Sequence, residues 1–245
     1  MKRSASDKNS VRLQVFLSHN GVSSRRKAMD IVKSGRVAVN GTVVTEPSTP
    51  VRPGRDKITL DGHAVSSKGM EYILLNKSAG YATTKEVRLD EDNVFRLLPR
   101  KFHHLSPVGR LDKNTEGLLL LTNDGDTAYR LTHPKFRVEK TYIVQVEGDI
   151  KPPKIKRLIS GVMIDDRKTA RARVFRVRRG KESSEFFMTI HEGRKRQIRR
   201  MCEKVGHKVL NLKRIGQGPL QLGNLASGQW RPLTRTEVQL ITQSD

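Results

Sequence analysis

The sequence predicts an α+β protein with a small N-terminal domain and a larger, strand-rich one. Three observations predict it. Two short helical patterns and an Asn-Gly hairpin fill residues 11–60. Turn and linker composition follows, at Asp61-Gly62 and Ser66-Ser67-Lys68-Gly69. Beyond it, short apolar and alternating runs outnumber helical patterns, with no internal repeat. The expected division is a disordered basic tail over 1–10, a first domain with its linker over 11–68, and a second domain over 69–245.

In chain order, Val11, Leu13, Phe16 and Leu17 fall at helical spacing, and Gly21 suits the C-terminal cap. Ser23 or Ser24 caps a second helix over 25–34, with Ala28, Ile31 and Val32 inward and Gly35 ending it. Asn40-Gly41 between β-branched runs is a strong hairpin signal. Tyr72-Ile73-Leu74-Leu75 reads as a buried strand. Residues 87–102 are polar with a weak helical pattern (Val94, Leu97, Leu98) that Pro99 stops. The run 118–121, four leucines closed by Thr122-Asn123-Asp124-Gly125, fits a buried strand, although periodicity alone also admits a buried helix. A short helix over 126–132 is blocked by Pro134. Residues 138–146 alternate as a strand, and a basic helix over 151–158 ends near Gly161. Strands over 170–177 and 185–190 flank Arg179-Gly180-Lys181. Ile198, Met201, Cys202 and Val205 share a helical face capped by Gly206. A strand over 209–215, a loop over 216–219 and a capping box at Thr234-Arg235-Thr236-Glu237 complete the chain.

Charge narrows the partners. The 245 residues carry 48 Lys+Arg against 25 Asp+Glu, a formal charge of +23. Residues 1–69 hold 13 basic and 5 acidic residues, so +8 lies there and +15 beyond. A field of that sign in both parts favours a polyanion. No long basic amphipathic helix is present to lie on a membrane, which leaves nucleic acid. No apolar run is long enough to span a bilayer, and the first seven residues lack the apolar core of a signal peptide. Cys202 is the single cysteine, which rules out an internal disulfide and suits a reducing compartment such as the cytoplasm.

Several residues have a plain reading and a sharper one. Asp112 sits in a charged, turn-like loop over 108–117; alone it reads as a turn residue. Alone, Tyr142 reads as a half-buried strand aromatic and Arg199 as a solvated helix residue. Arg25, Arg26 and Lys27 crowd the first turn of a helix, where the helix dipole disfavours positive charge, and this tilts them toward phosphate. His191 and the His103-His104 pair lack i, i+4 partners or a cysteine, so no metal site is expected. No Gly-rich loop follows a suitable strand, which argues against a cofactor-dependent methyltransferase.

Ser24-Arg25-Arg26-Lys27-Ala28 followed by Gly35-Arg36-Val37-Ala38-Val39-Asn40-Gly41 resembles the S4 RNA-binding domain over residues 11–60. That resemblance implies that Arg25, Arg26, Lys27, Lys33 and Arg36 face structured RNA. Further on come Gly109-Arg110-Leu111-Asp112, Thr115-Glu116-Gly117-Leu118-Leu119, Leu121-Thr122-Asn123-Asp124-Gly125, Lys140-Thr141-Tyr142 and Arg196-Gln197-Ile198-Arg199-Arg200-Met201. Together, over residues 72–240, they resemble pseudouridine synthases, closest to the branch that carries an S4 domain and modifies ribosomal RNA. Ser78 stands where that family usually has proline.

The resemblance implies a mixed, mainly antiparallel sheet with flanking helices, and isomerisation of one uridine, in large-subunit rRNA rather than small-subunit rRNA. It implies Asp112 as the catalytic carboxylate, Arg199 paired with it, Tyr142 stacked on the base and assisting proton removal from C5, and Arg110 filling the gap left by a flipped nucleotide. Lys113, Arg194, Lys195, Arg196 and Arg200 would bind phosphates. No cofactor or metal is implied; the expected partner is rRNA or a pre-ribosomal particle, with the protein a monomer. A non-catalytic ribosome-assembly factor is the rival reading, and the intact Asp112, Tyr142 and Arg199 set argues against it.

Overall fold

The computed structural model describes residues 10–67, 69–85 and 92–243. The expected tail over 1–9, Lys68 of the linker and residues 87–91 of the weak helical pattern lie outside them. The chain forms two compact units. One comprises Met1–Glu71, Lys101–Ser106 and Thr122–Gly125; the other comprises Tyr72–Arg100, Pro107–Leu121 and Asp126–Asp245.

In the first unit, β1 (Val11–Arg12) leads into α1 (Leu13–His19) and α2 (Arg25–Lys33). β2 (Val37–Val39), β3 (Thr42–Val43), β4 (Pro50–Val51), β5 (Ile58–Leu60) and β6 (His63–Ala64) follow. The Ser24 side chain accepts from the Lys27 N–H at 3.4 Å, which starts α2 without any acidic residue in its first turn. The β2–β3 turn has positive φ at both Asn40 (52°) and Gly41 (85°), the reason Asn-Gly is favoured there. Leu13, Phe16 and Leu17 of α1 pack with Ala28 and Val32 of α2 and with Val37 and Ile58 of the sheet β3-β2-β5-β6. Asn123 is an anchor within this unit. Its amide donates to the carbonyls of His19 and Gly69, both at 3.0 Å, and its oxygen accepts the Glu71 N–H at 2.8 Å.

The second unit is built on β7 (Tyr72–Lys77), β9 (Glu116–Thr122), β10 (Lys140–Glu147), β13 (Arg173–Arg178), β14 (Ser183–Ile190), β15 (Val209–Gln217), β16 (Leu220–Gln221) and β17 (Trp230–Pro232). The short β8 (Ser106–Pro107) precedes β9, and β11 (Met163–Ile164) pairs with β12 (Arg167–Lys168) as a separate hairpin. The helices are α3 (Gly125–Thr132), α4 (Pro152–Ser160), α5 (Gln197–Lys204) and α6 (Arg235–Thr242). The sheet runs β13-β14-β10-β15-β9-β7-β17. It is mixed: β13–β14, β14–β10, β10–β15 and β7–β17 are antiparallel, whereas β15 and β9 are parallel.

β9 is a strand, and Leu118, Leu119, Leu120 and Leu121 are all 0% exposed. A run apolar on every residue suits a strand covered on both faces, and each leucine contributes about 1.5–3 kcal/mol by burial. Leu118 and Leu120 share one cluster with Tyr72, Leu74, Val108 and Leu131. No helix among the described residues is long and apolar enough to cross a membrane.

Two expectations change in detail, and a third holds. The weak helical pattern becomes two 3-10 turns, Val94–Leu97 and Arg100–Phe102, the first capped by the Asn93 side chain. The strand expected from residue 170 starts at Arg173, because the Ala170 N–H goes to the Glu192 carboxylate and the Ala172 N–H to the Ile159 carbonyl. The capping box of α6 forms, and the Arg231 guanidinium holds the Glu237 carboxyl down to about 2.

Candidate active site

Asp112 is fixed through its neighbours. Leu111 is pinned by Thr83, whose hydroxyl donates to the Leu111 carbonyl at 2.9 Å and accepts its N–H at 3.3 Å. The Lys113 carbonyl accepts from the Gly80 N–H at 2.9 Å, and the Thr115 N–H closes a turn on the Asp112 carbonyl at 2.9 Å. Lys77, at the end of β7, is fully buried. Its ammonium donates to the carbonyls of Ser78 (2.9 Å), Lys113 (3.1 Å) and Thr115 (2.8 Å), so all three donors are used. Burial pushes this ammonium down to about 8, opposed by the charges of Glu116 and Asp112. Ser78, the departure from the family pattern, bonds the Ser227 hydroxyl at 2.9 Å and ties the same loop to the segment before β17.

The Asp112 carboxylate itself has no hydrogen-bond or ion-pair partner among the described residues. It lines a cavity of 580 Å³, a volume suited to a small ligand or a single nucleotide. Tyr142, 8% exposed, is in the wall on β10, beside Arg214 of β15 in the strand register. Arg214 is 2% exposed; its Nε donates to the Leu118 carbonyl at 2.8 Å, and one Nη is buried without a partner. Lys140 also lines the wall, and burial together with Arg214 lowers its pKa. Arg110, exposed, also lines the cavity, as do Arg194, Lys195 and Arg196. The cavity is therefore cationic apart from Asp112 and Glu192, which suits a phosphate-bearing ligand.

Arg199 differs from expectation. It makes no ion pair with Asp112; its two Nη atoms donate to the carbonyls of Asn114 (2.6 Å) and Val209 (3.2 Å). Those carbonyls engage both guanidinium ends, so Arg199 steadies the Asp112 loop through Asn114. Burial, with Arg196 nearby, lowers its pKa, and the Asp112 charge opposes that.

The predicted phosphate contacts divide. Arg25, Arg26, Lys27 and Lys33 are exposed on α2, and Lys113, Lys195 and Arg196 are exposed around the cavity loops. Arg36 instead grips Asp61 through two bonds, one of 2.9 Å. Arg194 donates to the carbonyls of Arg167 and Lys168, both at 2.9 Å, and Arg200 pairs with Asp165. These three are engaged by protein. Gln197 braces the same loop by bonding Glu192 and the Arg194 N–H. Cys202 is buried, and burial pushes its thiol up to about 12, so it is no nucleophile.

Lys77 and Arg214 escaped sequence reading. For Arg214 a signal existed: it follows the inward register of Leu212 on an alternating strand, where an apolar residue is expected. For Lys77→Met we predict a loss of about 3 kcal/mol, because three buried carbonyls lose their donor. Turnover should fall about tenfold, a loosening cost of about 1.4 kcal/mol in the barrier. Thermal melts and single-turnover rates check this; a variant as stable and as active as wild type would remove the clamp.

Comparisons with known proteins bear on the family and the fold. A model of the RNA pseudouridylate synthase family matches residues 71–204, and one of the S4 domain matches 11–56. The chain is 42% identical over 237 residues to ribosomal large subunit pseudouridine synthase B of Bacillus subtilis (strain 168), covering 94% of this chain and 95% of that protein. It is 40% identical over 232 residues to an uncharacterized RNA pseudouridine synthase of Aquifex aeolicus (strain VF5), covering 93% and 92%. A crystal structure of a pseudouridylate synthase matches with a TM-score of 0.67 at 28% identity, covering 95% of this chain and all of that one.

Proposed function

Because the chain belongs to the RNA pseudouridylate synthase family, it isomerises uridine in RNA, and we propose that its target lies in large-subunit ribosomal RNA and that Asp112 carries the reaction. One observation bears most of this weight: a carboxylate with no partner among the described residues, held by its backbone neighbours in the wall of a cationic cavity that Tyr142 also lines. The large-subunit target is supported by the 42% identical relative of that name.

The reaction breaks the N1–C1′ bond and forms C5–C1′, and the proton lost from C5 is balanced by one gained at N1. Nothing enters or leaves, so the chemistry asks only for positioned groups. The uridine must first leave its stack, and exposed Arg110 fills the space it vacates. Tyr142 stacks on the base and takes part in removing the C5 proton. Asp112 acts on the ribose by one of two routes. It either attacks C1′ as uracil departs with the bonding pair, to be displaced when C5 returns, or it removes the C2′ proton as the base departs and gives it back to C2′ when C5 adds to C1′. Arg214, with its spare Nη in the wall, offers a charged donor to the bound nucleotide. Arg25, Arg26, Lys27 and Lys33 hold RNA phosphates on the first unit.

Mapping pseudouridines in total rRNA from cells with and without the protein tests the proposal. One large-subunit position should lose its modification. Loss from small-subunit rRNA instead would move the target, and no loss from either would overturn the rRNA reading.

A further inference from the structure

A second basic concavity lies on the catalytic unit, between α4 and the β11–β12 hairpin. Its volume is 510 Å³, and its charged lining consists of Lys156, Arg157, Lys168 and Lys204, with no carboxylate. All four side chains belong to exposed residues. None of the four has a carboxylate at ion-pair distance among the described residues. The molecule treats several of its other surface cations differently: Arg36 pairs with Asp61, Arg173 with Glu139, Arg231 with Glu237 and Lys151 with Asp149. On the hairpin itself, Asp165 pairs with Arg200, and Lys204 lies near enough to act on the same carboxylate without bonding it. Four like charges around one hollow, none in an ion pair, repel each other, and they lose that cost when a polyanion supplies the counter-charge.

The hollow is fastened to the catalytic cavity. Arg194, which lines that cavity, donates to the carbonyls of Arg167 and Lys168. Arg200 reaches the same hairpin from α5. The hairpin is thereby tied to the loop of residues 192–197, so an RNA held in the cavity meets the hollow at a set offset.

We propose that this hollow seats the phosphate backbone of an RNA helix outside the stem that delivers the target uridine. The inference rests on the RNA isomerase reading and adds to it that the substrate is a multi-helix element, gripped at two places on the catalytic unit. Each phosphate neutralised on a duplex releases counterions and steepens the salt dependence of log K by about 0.9, so four cations contribute a slope of about 3 to 4.

The test uses the full chain and two transcripts: the stem-loop around the mapped uridine, and a longer one with the adjoining helices. The variant carries Lys156→Gln, Arg157→Gln, Lys168→Gln and Lys204→Gln. Its affinity for the longer transcript at 0.15 M salt should drop by about tenfold or more, and its salt slope by about 3. Its affinity for the stem-loop and its single-turnover rate at saturation should stay as in wild type. Unchanged affinity for the longer transcript would overturn the proposal, and so would an equal loss on both transcripts, which would mark general attraction in place of a seat. The pair variants Lys156→Gln/Arg157→Gln and Lys168→Gln/Lys204→Gln, each expected to remove part of the slope, decide the matter if the quadruple variant folds poorly. Binding is read apart from turnover, so a wild-type protein that failed to isomerise either transcript would count against the isomerase reading alone.

Discussion

Asp112→Asn is expected to leave the protein folded and able to bind RNA while single-turnover conversion of uridine falls by about 10⁴-fold or more, about 5 kcal/mol of lost barrier reduction. Both halves follow from the same geometry. The loop is held through Leu111, Lys113, Asn114 and Thr115, none of which needs the Asp112 side chain. The carboxylate makes no protein hydrogen bond among the described residues, so the amide removes no native contact. Asparagine keeps the shape but can neither attack ribose nor accept a proton at neutral pH. Tritium release from C5-labelled RNA measures the rate, and filter binding measures affinity. Conversion within tenfold of wild type would end the case for Asp112 as the reacting group.

Gly117→Ala is expected to be the most destabilising single-methyl change in the catalytic unit. Gly117 sits at φ +104°, opposite Arg214 where β9 meets β15 in parallel. A Cβ there would lie 2.1 Å from the Arg214 carbonyl oxygen and 2.7 Å from its nitrogen. Backbone cannot swing aside as a side chain does, so the two strands must part. That displaces the Asp112 loop and Arg214 together. The expected cost is about 3–5 kcal/mol, the range of severe single substitutions, with a melting point lower by roughly 10 °C. Turnover should collapse with it. Gly41→Ala is the control: its φ is also positive, at 85°, but nothing lies within 4 Å of the added carbon. Only the conformational strain of about 1 kcal/mol applies there. If the two variants melted alike, close strand approach would not be the reason for glycine at 117.

These contrasts explain what could be read from residues alone. Asn40-Gly41, the capping box at Thr234 and the leucines of 118–121 act locally, through φ preference, a side-chain cap and uniform burial, and local chemistry is written in adjacent letters. The parallel pairing of β9 with β15, and the antiparallel pairing of β17 with β7 at the sheet edge, join residues about a hundred or more positions apart, and no periodicity reports them. Two-residue strands such as β11 and β12 are too short to show a period of two. The site divides in the same way. Asp112 and Tyr142 stand in distinctive contexts, whereas Lys77 looks like any strand-end lysine until its three carbonyl acceptors are seen. Arg194 and Arg200 look identical in sequence to arginines that face phosphate, and only the geometry reveals their backbone and Asp165 partners.

The inert Cys202 has a practical consequence. The chain's single thiol is buried and held far from its reactive thiolate form. A cysteine introduced at an exposed position, such as Lys156→Cys beside the basic hollow, would react alone with a maleimide dye. The native sequence is thus ready for one-site fluorescence labelling with no cysteine removed, and RNA arrival at either grip could be timed separately.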